Sequence, residues 1–246
     1  MNVLEQIKRS VAITKKDLSV YYFRGPVMIQ GLLIPAFLFL SYSFKRNLPL
    51  DLLMPGLLGM TLFFSVSAIT PVIAPWETRM RTFERLISSP ISIWAILLGD
   101  IVASVLFGLF ISFFVGLISI FALGVNILNF YLIIGTIIAA FCFSSLGTLI
   151  SAPPADKPSD IMLIATLIKF PFMFISGIFV PISEMGNLKV LSFISPLTYY
   201  VDLVRYSVQG ASEFHPLINI GALLIFTFVL FVGAVKWHNK SIDKRF

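Results

Sequence analysis

Six stretches of this chain are apolar over a length that can cross a bilayer, and five of them carry no charged side chain. They are Gly25–Phe44, Leu52–Ala74, Ile101–Leu123, Phe130–Ile150, Ile161–Val180 and Leu217–Val235. A helix needs about 20 apolar residues to cross the roughly 30 Å hydrocarbon layer. The polar face that a soluble bundle repeats every turn is missing from them. Backbone in lipid must bond within its own segment, which requires helices, and the runs are too continuous for the alternating strands of a barrel. Hydrophobic residues make up 58% of the 246 and charged residues 12%, about half the ~25% of a soluble domain. One soluble core of this size cannot hide 25 phenylalanines. The expected fold is all-α: a polytopic membrane protein with six transmembrane helices, forming a single domain over residues 1–246.

Lysine and arginine set the expected orientation. With the N-terminus inside, thirteen of them fall on inner segments and four on outer ones, leaving Lys169 inside the fifth span. Both termini are therefore expected in the cytoplasm. The net charge of +6 reads as this topology and not as nucleic-acid binding, because no basic stripe is interleaved with exposed aromatics. The charged N-terminus lacks the short apolar core of a cleavable signal. A single cysteine, Cys142, leaves no intrachain disulfide or thiolate metal cluster to expect.

Three segments between or before the spans carry more information than a connection needs. In residues 1–24, Leu4, Ile7, Val11, Leu18 and Tyr22 fall near one helical face, the pattern of a helix lying in the inner interface. In residues 75–90, Trp76, Met80, Phe83 and Ile87 form an apolar stripe on an expected short helix. Glu77, Arg81, Glu84 and Arg85 supply its polar face. Only a turn is needed to join two spans, so a helix there reads as a docking element. Residues 181–216 are long for an outer loop, yet rich in Leu, Ile, Phe and Tyr. Pro181 and Pro196 divide them into short helical patterns, expected to dip into the outer leaflet as a re-entrant pair. Glu184, Tyr199, Asp202 and Arg205 mark this segment, the last two one helical turn apart.

These features resemble the permease subunit of type-2 ATP-binding-cassette exporters. "FPFMFISGIFVPISEM" (170–185) is similar to that family's Phe-Pro…Ser-Gly-x-Phe-x-Pro signature. "SPLTYYVDLVRY" (195–206) resembles its Asn-Pro-Leu-Thr-Tyr-x-x-Asp…Arg signature, with Ser195 in place of the asparagine. Glu77…Arg81-Thr82-Phe83-Glu84-Arg85-Leu86…Ser89-Pro90 resembles the coupling segment, with Arg81 where the family has glycine. The resemblance implies six spans with both ends inside, a cytoplasmic coupling helix after the second span and re-entrant helices before the sixth. It also implies two copies of a separate cytoplasmic ATP-binding-cassette ATPase and a second permease subunit, in a homodimer or a heterodimer. The chain has no G-x-x-x-x-G-K-[ST] loop, so ATP and magnesium are expected on the partner ATPase and no cofactor on this chain.

A lysine within a span is costly, at least about 2.5 kcal/mol if unpaired on the mildest scale. Lys169 and Asp100 count to similar depths from the same side, so the expectation is a Lys169–Asp100 pair facing the transport pathway or the dimer seam, against the plainer alternative of a lysine that snorkels to the interface. Two other classes remain open at this stage: a secondary transporter using Lys169, and an intramembrane enzyme. The first lacks paired broken helices with ionisable groups in repeated halves. The second lacks a nucleophile with a base, or metal ligands, within the spans. His215 and His238 fall outside the expected spans and read as surface or interfacial residues.

Overall fold

The computed structural model describes residues 3–22, 24–33, 36–37, 50–121, 124, 129–155 and 157–242. Helix α1 (Val3–Asp17) passes through a π-helical turn (Leu18–Tyr22) to a short α2 (Gly25–Met28) and a second π-helical turn (Ile29–Leu33). Then come α3 (Leu50–Val66), α4 (Thr70–Arg79), α5 (Thr82–Ser88), α6 (Ile93–Phe121), α7 (Phe130–Ile150) and α8 (Pro158–Ile175). Two 3-10 turns (Ile182–Glu184, Gly186–Leu188) lead to α9 (Lys189–Ser192), α10 (Pro196–Gln209) and α11 (Pro216–Ser241). No strand occurs among the described residues.

Five of these helical stretches are long and apolar enough to cross a membrane: Leu52–Arg79, Ile93–Phe121, Phe130–Ile150, Pro158–Ile175 and Pro216–Ser241. Of the expected span Gly25–Phe44, residues 25–33 and 36–37 are described, and residues 34–35 and 38–44 lie outside the described residues. Two boundaries differ in a way that moves functional residues. The second span runs to Arg79 instead of Ala74, so Glu77 belongs to its end. The third begins at Ile93 instead of Ile101, so Asp100 sits inside it. Apolar counting stops at the first charge, whereas a helix continues through a charge that finds a partner.

The second span is the centre of the bundle, with 94% of its most apolar window buried. It packs along α6 and α10, and α7 packs along α11. Phe63 meets Phe143 edge-on with ring centroids 5.0 Å apart, and Phe143 meets Tyr200 at 6.1 Å. Lipid tails are as apolar as leucine, so burial alone does not drive such packing; close approach through small residues does. A Cβ on Gly59 would stand 2.7 Å from Val201 of α10, and one on Gly108 would stand 2.1 Å from Val66.

Helix α1 is built inside out. Its polar residues Gln6, Ser10, Thr14 and Asp17 are buried, while Val3, Leu4, Ile7 and Val11 are exposed. Leu4, Ile7 and Val11 of the expected apolar face are exposed and the polar face docks on the start of α6, whereas Tyr22, expected on that same apolar face, is fully buried against Phe107. Gln6 accepts from the Ser92 amide at 2.8 Å and donates to the Pro90 carbonyl at 3.2 Å, holding the entry to that span. Thr14 donates to the Gly99 carbonyl at 3.0 Å, and a Cβ at Gly99 would collide with Ile13 at 2.6 Å.

Candidate functional site: the coupling end and the broken span

At one end of the bundle, the end of α1, the end of α4 and the first turns of α6 bring four charges together. Lys16 is ion-paired with Glu77, and its ammonium lies 3.0 Å from Asp17. Glu77 and Asp17 are fully or almost fully buried, while the Lys16 side chain is 31% exposed. Asp100 is buried beside them with its carboxyl turned toward Asp17. Burial works against the Lys16 ammonium, yet Asp17, Glu77 and Asp100 together hold it above the ordinary lysine value. Lys16 thus ties the interfacial helix to the second span, with Tyr21 stacked on Trp76 at 5.9 Å beside it.

This corrects the sequence expectation for two residues. Glu77 is not on an exposed polar face: it lies on the buried side of α4, facing Lys16. The segment 75–90 is also two helices and not one. Arg81 takes a left-handed conformation (φ 55°) that breaks the chain between α4 and α5, a conformation that suits the glycine of the family pattern better than arginine. The expected stripe is split accordingly. Trp76 packs inward and Phe83 is buried, while Met80 is 72% exposed. Around the break, Arg79, Arg81, Glu84 and Arg85 are all exposed.

The Lys169–Asp100 pair is not formed. Lys169 is 5% exposed and donates to the backbone carbonyl of Ser67, with no carboxylate partner among the described residues. The reason lies in the second span, whose helix is interrupted at residues 67–69 and resumes with Pro71 in its first turn. Proline has no N–H to give the carbonyl four residues back, here that of Ser67. Lys169 of α8 supplies the missing donor. Hydroxyls ease the same break: Ser65 donates to the Thr61 carbonyl and Thr70 to the Val66 carbonyl at 2.8 Å. Both partners were visible in the sequence, one as a lone lysine and the other as a proline one span earlier. No pattern in the sequence joined them.

The outer segment is pinned by side-chain-to-backbone bonds. Asp202 accepts from the amides of Glu213 (2.9 Å) and Phe214 (3.0 Å) and from Asn219 Nδ2 (2.9 Å). Arg205 donates to the Gly177 carbonyl at 2.9 Å, so Asp202 and Arg205 hydrogen-bond to different stretches of chain. Tyr199 donates to the Phe193 carbonyl at 3.1 Å, and Ser195 donates to the Phe172 carbonyl at 3.2 Å. Pro196 starts α10, Pro181 precedes the first 3-10 turn, and Glu184 is exposed within that turn. Lys189 pairs with Glu213. His238, expected at a surface, is buried in α11, with its ring at 3.3 Å from the Ser151 hydroxyl.

Described residues that are helical, with several helices long and apolar enough to cross a membrane and a charged, exposed break between two of them, are those of a multi-pass membrane protein. The ABC-2 type transporter family model matches residues 3–208, and the chain belongs to that family. It is similar to the inner membrane transport permease YadH of Escherichia coli K12, with 23% identity over 178 residues that cover 72% of this chain and 70% of that protein. The protein of the same name from Shigella flexneri matches to the same extent.

Proposed function

We propose that the chain is the membrane-spanning permease subunit of an ATP-driven exporter in the plasma membrane, with both termini cytoplasmic. A separate ATP-binding-cassette ATPase, in two copies, hydrolyses ATP with magnesium and docks on the segment from Arg79 to Ser88. A second permease subunit completes the pathway, and residues 181–216 form a re-entrant lid over its outer exit. The cargo is amphipathic, lipid-linked, drug-like or polysaccharide.

The observation that carries this reading is the exposed break at Met80–Arg81. A hairpin between two spans could be closed by a turn, yet here four charged side chains and a methionine project from two short helical ends. They sit directly beside the Lys16–Glu77 tie to α1. A load applied at α5 reaches α4, and through Lys16 it reaches α1 and the first turns of α6. The secondary-transporter reading loses its motive, since Lys169 is engaged by the Ser67 carbonyl.

The test is a double reversal, Glu84→Arg with Arg85→Glu, in the permease co-expressed with its ATPase and reconstituted. Cargo-dependent ATP hydrolysis and transport should fall at least tenfold while the permease elutes and unfolds as the unaltered protein does. Unchanged hydrolysis and transport would remove the docking assignment. Cysteines replacing Glu184 and Glu213 should react with impermeant thiol reagents added outside; reaction from the cytoplasm alone would overturn the lid and the topology.

A further inference from the structure

In the half of the bundle away from the coupling segment, a cavity of about 410 Å³ opens between α3, α6, α7 and α10. Its walls are carbon almost throughout, from residues such as Leu58, Leu109, Phe113, Leu132 and Ile137. Phe113 and Ile137 are 61% and 42% exposed, so the mouth continues into the exposed apolar surface of the bundle. Sites for drug-sized molecules have volumes of about 300–1,000 Å³ and pair such walls with a few placed polar groups.

Three hydroxyls supply those groups. Thr136 donates to the Leu132 carbonyl at 2.7 Å and lies 3.2 Å from the Tyr200 hydroxyl, which leaves the tyrosine proton for Thr136. Ser112 differs. Ser104, Ser119 and Thr148 each donate to a carbonyl three or four residues back on their own helix. Ser112, on the cavity wall, has a buried hydroxyl oxygen with no such bond and no other partner among the described residues. A hydroxyl buried among carbon without a partner is a vacant donor.

We propose that this cavity binds a lipophilic small molecule with one hydrogen-bond acceptor, which enters from the bilayer and bonds to Ser112. A saccharide does not fit, because its many hydroxyls would meet carbon on nearly every side. The site is separate from the coupling end, and occupancy is read without any assumption about what the chain transports.

Benzophenone is a suitable probe: two aromatic rings, one acceptor carbonyl, and insertion into nearby C–H bonds on irradiation. The full chain in lipid nanodiscs is irradiated over a range of benzophenone concentrations, and adducts are mapped by peptide mass spectrometry. Saturable labelling should concentrate on residues 109–120 and 132–137. Ser112→Ala should raise the half-saturating concentration about fivefold, the factor of one ordinary net hydrogen bond. Leu132→Trp, which fills the space, should abolish saturable labelling; if it does not fold, Ser112→Ala decides alone. Labelling that never saturates, or is as dense around Ile225 and Phe228 on the lipid face of α11, would mean bulk lipid fills the cavity and overturn the proposal. Unchanged half-saturation in Ser112→Ala would overturn it too. So would a disulfide between cysteines at 112 and within 38–49, which would put this chain's own segment there.

Discussion

The second span and the last one are both long and strongly apolar, yet they are built in opposite ways. Leu52–Arg79 has 94% of its most apolar window buried, is broken at residues 67–69 and ends in a buried carboxylate. Pro216–Ser241 has 17% buried and runs unbroken for 26 residues. A helix facing lipid must satisfy its backbone alone, because lipid offers no donor. A helix surrounded by protein can be broken, since a neighbour can complete the bond. Lys169 does so at the break, and at the end Lys16 pairs with the buried Glu77 carboxylate. The central span therefore depends on residues outside itself, and the peripheral span does not.

The largest expected effect is at the end of the central span. Lys16→Gln strands Glu77, and breaking a buried ion pair costs about 3–5 kcal/mol. Lys16 is nearly one-third exposed, which reduces the expected loss to about 2–3 kcal/mol in detergent unfolding. A change no larger than that of a surface lysine would break the comparison at this point.

The same pair fixes a pH dependence. The folded-state value of Lys16 is raised, so its contribution is complete below the ordinary value of about 10.4 and fades only as pH rises beyond it toward the higher folded one. The difference in melting temperature between the unaltered protein and Lys16→Gln should stay constant from about pH 7 to pH 9. Above about pH 10.4 it should shrink, and a difference that stays flat there would show that the lysine holds its proton no more tightly than usual.

At the break, Lys169→Met leaves the Ser67 carbonyl bare, at a cost of about 1–2 kcal/mol. Pro71→Ala restores an N–H four residues on, so it should recover much of that loss in the Lys169→Met protein and give less benefit alone. The informative quantity is the coupling between the two changes in a double-mutant cycle. Additive effects would mean that Lys169 does not stand in for the missing proline donor.

The smallest effect belongs to the peripheral span. Phe228 on α11 is 70% exposed, and Phe228→Leu should change stability by less than about 0.5 kcal/mol. A larger loss would mean that this face is covered by something other than lipid.

The sequence by itself determined the helical class, five of the spans to within a few residues at most ends, and a one-sided helix at the N-terminus. These follow from the composition of single segments, since a charge-free run and a one-sided stripe are local facts. Residues 75–90 and 181–216 were also legible as places to look, because each is more elaborate than a connection requires. Only the tertiary structure decided the partners. Asp100 looked like the natural counter-charge for Lys169 because both are lone charges at similar depth. The lysine instead went to a carbonyl freed by Pro71, and Asp100 joined Asp17 near Lys16. Depth along a helix can be counted from sequence, but the direction a side chain faces depends on which helices are neighbours. An orphan carbonyl has no letter of its own in the sequence, so a lysine that completes one looks like a lysine without a partner.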